Sequence, residues 1–170
     1  MIKTIDRAVT AVSRAAGAVA ALLLVYIVAH IAYEIVLRSI FASSTFVLDE
    51  FVGYAVAAMT FLSLAHALDH GSLIRVDLAI TRIKGRARRW VELFCIAVSF
   101  VMAGFCAWYV GKNALREWTR GSVSESIAEV PLWIPVGAVW LGLVLLMLQL
   151  FVYFLRIAAG GTPIDSVETE

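Results

Sequence analysis

Charge is scarce in this chain and unevenly placed. Only 16% of the 170 residues are Asp, Glu, Lys or Arg, and four long apolar stretches carry none near their centres: about 15–37, 51–68, 91–110 and 133–155. Catalytic patterns are missing too. No nucleophile elbow, glycine-rich phosphate loop or cysteine–histidine zinc spacing occurs, so the sequence offers no support for an enzyme. The two cysteines, Cys95 and Cys106, lie eleven residues apart in one apolar stretch. Two residues so placed on one helix cannot pair, and they are expected to be small buried apolar groups.

What is abundant is hydrophobicity: 62% of residues are apolar and mean hydropathy is +0.89. That is more apolar surface than one small core can hide. Each stretch has about the 17–25 residues that a helix needs to cross a hydrocarbon core at ~1.5 Å per residue. The expected fold is therefore an all-α integral membrane protein: one domain of four transmembrane helices over residues 1–157, then a short polar tail, 158–170, expected to be disordered. The first apolar run follows Lys3, Arg7 and Arg14 and is too long for a cleavable signal, so it is expected to remain as a span.

The basic residues predict the orientation. With both termini inside, the inner side holds ten Lys and Arg and the outer side four. The positive-inside rule then places both termini and the second loop in the cytoplasm. Tyr33, Trp108, Tyr109 and Trp133 fall at the expected outer boundary and Trp90 and Tyr153 at the inner one, where amphipathic rings settle. In the second loop, Leu73, Val76, Ile80, Ile83, Ala87 and Trp90 recur at helical steps. Arg75, Asp77, Arg82, Lys84, Arg86, Arg88 and Arg89 fall largely between them. This basic amphipathic segment suits the cytoplasmic headgroup layer or a partner surface, and Gly85 weakens its helix. On the outer side, the third helix is expected to run past the membrane through Trp118 and to break at Gly121 and Ser122. That outer loop reads equally as a connector or a docking surface.

The intramembrane polar residues are few. His30 lies about 6 Å outward of its span's middle and His66 about 10 Å inward of its own, at 1.5 Å per residue. This weighs against the alternative reading, a cytochrome b-like membrane anchor of a redox enzyme with a shared haem. No metal or cofactor is expected. Glu34 sits near the outer end of its span, where Arg38 can compensate it, and with Asp49 and Glu50 it forms an outward acidic group. Gly53 with Ala57, and Ala103 with Ala107 and Gly111, place small residues at four-residue spacing, which lets helices approach closely. Pro131 and Pro135 open the last span, Pro135 deep enough to bend it.

In order along the chain, these features resemble the small membrane subunit of TRAP (tripartite ATP-independent periplasmic) transporters, the DctQ type. The resemblance rests on Leu48-Asp49-Glu50 opening the second span and on the run Ala65–Asp77 leaving it. It rests also on Ala128-Glu129-Val130-Pro131-Leu132-Trp133-Ile134-Pro135-Val136-Gly137 before the last span. Gly71 and Ile74-Arg75-Val76-Asp77 match a family segment, with Leu73 where a histidine is usual. The resemblance implies a bacterial inner-membrane scaffold subunit. Its partners would be lipid, a large multi-span subunit holding the substrate and sodium sites, and a periplasmic protein that delivers the substrate, usually an organic acid. Nucleic acid is not among them. Arg75, Asp77, Arg82, Lys84, Arg86, Arg88, Arg89 and Trp90 become candidate inner contacts, and Glu34, Asp49, Glu50, Arg116, Arg120, Glu125 and Glu129 candidate outer ones.

Overall fold

The structure is a computed structural model that describes residues 2–70 and 86–158. Among these described residues are four helices: α1 (Ile2–Phe41), α2 (Leu48–Asp69), α3 (Arg86–Arg120) and α4 (Trp133–Ala158). All four are long and apolar enough to cross a membrane. Each expected span lies inside its helix. The helices are longer because backbone hydrogen bonding continues past the apolar limits into residues such as Arg7 and Arg116.

α1 and α2 form one helical hairpin through residues 42–47, and α3 and α4 form a second through 121–132. The side-by-side order is α1, α2, α4, α3, with α1 also touching α4. Both connections lie at one end of the molecule, here termed the hairpin end. The opposite, terminal end gathers the first turns of α1 and the last turns of α2 and α4.

The α1–α2 seam follows a seven-residue repeat. On α1, Ser13, Ala16, Ala20, Ile27 and Glu34 are buried, and Leu23, His30 and Leu37 complete the alternating three- and four-residue steps half-buried. On α2, Ala55, Ala58 and Ala65 are buried on the same spacing, with Leu48, Phe51, Leu62 and Asp69 half-buried between and beyond them. This is the knob-and-hole pattern of coiled helices, here dominated by alanine. Small seam residues draw the backbones together, and His66 lies directly over Gly17 of α1.

α4 is the central helix and touches all three others. One side packs on α3 through Leu150, Tyr153 and Ile157 against Ile96 and Ala103. The other packs on α2, with Gly142 at the closest point. A Cβ there would stand 2.5 Å from the Phe61 carbonyl carbon and 2.6 Å from its oxygen. Of the two small-residue repeats, the one on α3 packs: Ala103 and Ala107 are buried and Gly111 abuts the Trp140 ring. Gly53 faces open space.

The cysteine expectation is corrected. Cys95 and Cys106 are both free and exposed, on the outward face of α3. For a membrane helix that face is apolar surroundings rather than water, so a small soft side chain need not be inside the bundle. Pro135 falls within the first turn of α4, where the missing N–H breaks little of the helix ladder, and Val136 N–H still reaches the Leu132 carbonyl at 3.4 Å.

Replacing Gly142 should therefore disturb the α2–α4 contact. Gly142→Ala is expected to cost about 1–3 kcal/mol by overpacking and to lower the thermal midpoint in detergent. Gly53→Ala should leave it nearly unchanged. Equal midpoints for the two variants would contradict this packing.

Candidate functional site

The polar side chains concentrate toward the two ends. At the hairpin end Glu34 is 1% exposed, and residues 42–47 fold over its carboxylate. Arg38, one turn on, donates Nε–H to Oε1 at 2.9 Å. The Ser44 hydroxyl donates to the same oxygen. Thr45 supplies its hydroxyl at 2.6 Å and its backbone N–H at 3.2 Å to Oε2. The Ser44 oxygen in turn accepts from Arg38 at 3.2 Å and from Phe46 N–H at 3.1 Å. The Ser44 and Thr45 hydroxyls and the Thr45 N–H thus all end on Glu34. Ala42 and Phe46 have left-handed backbone, φ 48° and 59°, each costing about 1 kcal/mol for a residue with a Cβ. The carboxylate clamp offsets that cost.

Glu50 stands beside the second loop. Tyr54 donates to its Oε1 at 2.7 Å, its buried Oε2 accepts no hydrogen bond, and Ser124 and Ser126 lie near the carboxyl group. Those two serine oxygens accept Val130 and Ala128 N–H at 3.1 and 3.2 Å and lie 3.0 Å apart, so one hydroxyl proton serves that contact. The loop is built for rigidity. Gly121 (φ +63°) ends α3 with Gly121 N–H on Trp118 and Ser122 N–H on Glu117, the paired bonds of a Schellman cap. Val123 and Pro131 then form an antiparallel bridge. The helix extension and the break at Gly121 match expectation.

The outward candidates divide accordingly. Glu34 is buried and Glu50 half-buried, both bonded within the chain, while Asp49, Arg116, Arg120, Glu125 and Glu129 are exposed. Of the inner candidates, Arg75, Asp77, Arg82 and Lys84, with most of the amphipathic segment, lie outside the described residues. Arg86, Arg88 and Arg89 fall in the opening turn of α3, and Trp90 is 73% exposed.

At the terminal end one hydrogen-bonded chain joins three helices. Ser13 of α1 donates to Gln149 Oε1 of α4 at 3.3 Å, and Gln149 Nε2 donates to Asp69 Oδ1 of α2 at 2.8 Å. Beside it lies an open recess of about 340 Å³ lined by Arg7, Thr10, Ala11, Arg14, Asp69 and Arg156. Ser13, Ser44, Thr45, Ser124 and Ser126 went unmarked in the sequence. For Ser13 the signal was there, since it stands seven residues before Ala20 in the seam.

The histidines do not converge. His30 bonds the Tyr26 hydroxyl at 2.8 Å and stacks on Phe51, whereas His66 lies over Gly17 and beside His70. Phe51 and His66 are fifteen residues apart on α2, about 22 Å of helix rise, so His30 and His66 cannot share one haem iron. Among the described residues, no group of three or more His, Cys, Asp or Glu is placed to hold a metal.

Four apolar helices, polar groups bonded near the ends and no reactive cluster among the described residues define a multi-pass helical membrane component. The chain belongs to the DctQ component family of tripartite ATP-independent periplasmic transporters, whose family model matches residues 27–160. It is thus a small membrane subunit of a TRAP transporter, which points away from an enzyme. No curated protein and no solved structure matches it.

The Glu34 clamp has a direct test. Glu34→Ala should speed amide hydrogen exchange across 43–47 by roughly tenfold or more, since local opening follows the bonds that hold the loop. Unchanged protection would show that the loop is held by something else.

Proposed function

We propose that this chain is the static scaffold subunit of a sodium-driven uptake transporter for organic acids in the bacterial inner membrane. Both termini lie in the cytoplasm, and the hairpin end faces the periplasm. A large multi-span partner carries the substrate and sodium sites, and a periplasmic binding protein delivers the substrate. The exposed charges of the hairpin end, Asp49, Arg116, Arg120, Glu125 and Glu129, contribute to the docking surface, and the basic segment 75–89 meets lipid or the partner inside.

The observation that carries this reading is where the polar groups sit. Of the four buried polar or charged side chains among the described residues, Ser13, Glu34 and Glu92 lie toward the ends of their helices, and Gln149 meets Asp69, the last residue of α2. Thr60 and Ser63, in the middle of α2, bond backbone carbonyls of their own helix at 2.8 and 2.9 Å. Carriers place ionisable groups or broken helices near the midplane, and these four helices are continuous. The outer faces of α1 and α3 expose large apolar residues such as Leu22, Val25, Phe94, Val101 and Phe105, which suits contact with lipid and another membrane subunit.

Reconstituted alone in proteoliposomes with a sodium gradient, the chain is expected to take up no organic acid. Co-expressed with the large subunit encoded beside it, it should co-purify with that protein in mild detergent and support uptake once the binding protein is added. Uptake by the chain alone, or failure to co-purify, would overturn the proposal. A single cysteine at Ser126, with Cys95 and Cys106 replaced by serine, should react with an impermeant maleimide from the periplasmic side only. Labelling from the cytoplasmic side would reverse the orientation.

A further inference from the structure

The recess at the terminal end is lined by three guanidinium groups and one carboxylate. Asp69 already accepts the Gln149 amide at 2.8 Å. Arg7 and Arg14 are exposed, and neither forms an ion pair with a described residue. The two are seven residues apart on α1, so both project from one side of the helix with Ala11 between them. Thr10 adds a hydroxyl, and Arg156 closes the recess from α4. Cationic forks around an open space make a site for a phosphate.

Depth says which phosphate. The recess lies where the apolar part of α1 begins, beside the last residue of α2 and the last turn of α4. The same face of α1 continues into the bilayer as Ala18, Ala21 and Val25, on the three- and four-residue steps that join Arg7, Ala11 and Arg14. Ala18 and Ala21 are exposed and Val25 is 65% exposed, next to Leu22 at 68%. A polar anion at the recess therefore has an uncovered apolar strip directly beyond it. The small alanines leave a shallow track, and Leu22 and Val25 flank it further along. A soluble phosphate has no use for that strip, but a phospholipid fills both parts.

We propose that the recess between α1, α2 and α4 binds the phosphodiester headgroup of an anionic phospholipid, with Arg7 and Arg14 on the phosphate and an acyl chain along Ala18, Ala21 and Val25. Basic recesses between membrane helices at the cytoplasmic surface have the charge and depth to hold such headgroups. The lipid's single negative charge would be shared between the two arginines beside the Ser13–Gln149–Asp69 chain, offsetting one of their two charges and bracing the end of the bundle. The site needs only that this end lies at a membrane surface. Its leaflet follows from the orientation above, and its test requires no transport partner.

The test is native mass spectrometry of the full-length chain released from mild detergent containing equal amounts of phosphatidylglycerol and phosphatidylcholine with the same acyl chains. The unmodified protein should retain phosphatidylglycerol selectively, and a large excess of inorganic phosphate should not displace it. In Arg7→Gln/Arg14→Gln the retained fraction should fall roughly tenfold, as two surface cations are lost. Arg116→Gln/Arg120→Gln, at the other end, should behave as the unmodified chain. Equal retention of the two lipids by the unmodified protein overturns the proposal without recourse to a variant. So does unchanged retention in the Arg7/Arg14 variant, and displacement by inorganic phosphate would assign the recess to a soluble anion instead. An apolar variant of the strip, Ala18→Trp, should weaken lipid retention while leaving the arginines in place. Retention as strong as in the unmodified chain would remove the acyl-chain track.

Discussion

The close approach of α2 and α4 holds this molecule together. Two helical hairpins meet there, with the lesser α1–α4 contact as the other join between them. In a bilayer the apolar tails compete equally for apolar side chains, so helices associate through close packing and polar bonds rather than through hydrophobic expulsion. α4 supplies both along one face. Gly142 lets the Phe61 backbone come in without a Cβ between them. Two turns on, Gln149 bonds Asp69 of α2 and Ser13 of α1. Two turns further, Arg156 lines the recess at the end of the bundle. The seven-residue step from Gly142 to Gln149 to Arg156 converts close packing into a polar bracket and then into a half-buried basic wall.

The polar groups follow from the same solvent. Buried backbone and side-chain donors cannot turn to water in the hydrocarbon, so each needs an internal partner. Glu34 meets this requirement by gathering loop hydroxyls and an N–H group. In doing so it holds residues 42–47 in a fixed shape, despite left-handed backbone at Ala42 and Phe46. Residues 121–132 are held by their own bonds, Ser124 and Ser126 accepting Val130 and Ala128 N–H. The exposed charges around these loops are then held at defined positions.

The spans and their number were legible because length and hydropathy alone decide whether a helix can cross a bilayer. The Glu34–Arg38 pair was legible because four residues on a helix bring two side chains together. Ser44 and Thr45 were not, since their role depends on how a six-residue loop folds back. Ser124 and Ser126 lie near Glu50 across more than seventy residues of chain, and no local pattern announces that proximity. The cysteines were misread because burial habits learned in water do not carry over to a helix whose outside is also apolar. The alanine seam is a different case. Its three- and four-residue steps run from Ser13 to Leu37 and from Leu48 to Asp69 in plain view, but apolar residues occupy nearly every other position as well. A seam marked by small residues rather than large ones stands out only when searched for at a period of seven.

A carrier that moves solute must exchange one set of contacts for another, and this bundle is poorly suited to that. Sliding α4 against α2 would drive Phe61 into side chains next to Gly142 and break the Gln149–Asp69 bond, leaving an amide and a carboxylate unpaired where replacements are scarce. Tilting α1 would strip Ser13 from Gln149 at one end and pull Glu34 from its loop at the other. Polar bonds thus fix α1, α2 and α4 to one another at the terminal end and α1 to its loop at the hairpin end. The outer faces of α1 and α3, by contrast, carry large apolar side chains and no such locks. Contact with lipid or with another membrane subunit on those faces would leave the bonds inside the bundle untouched.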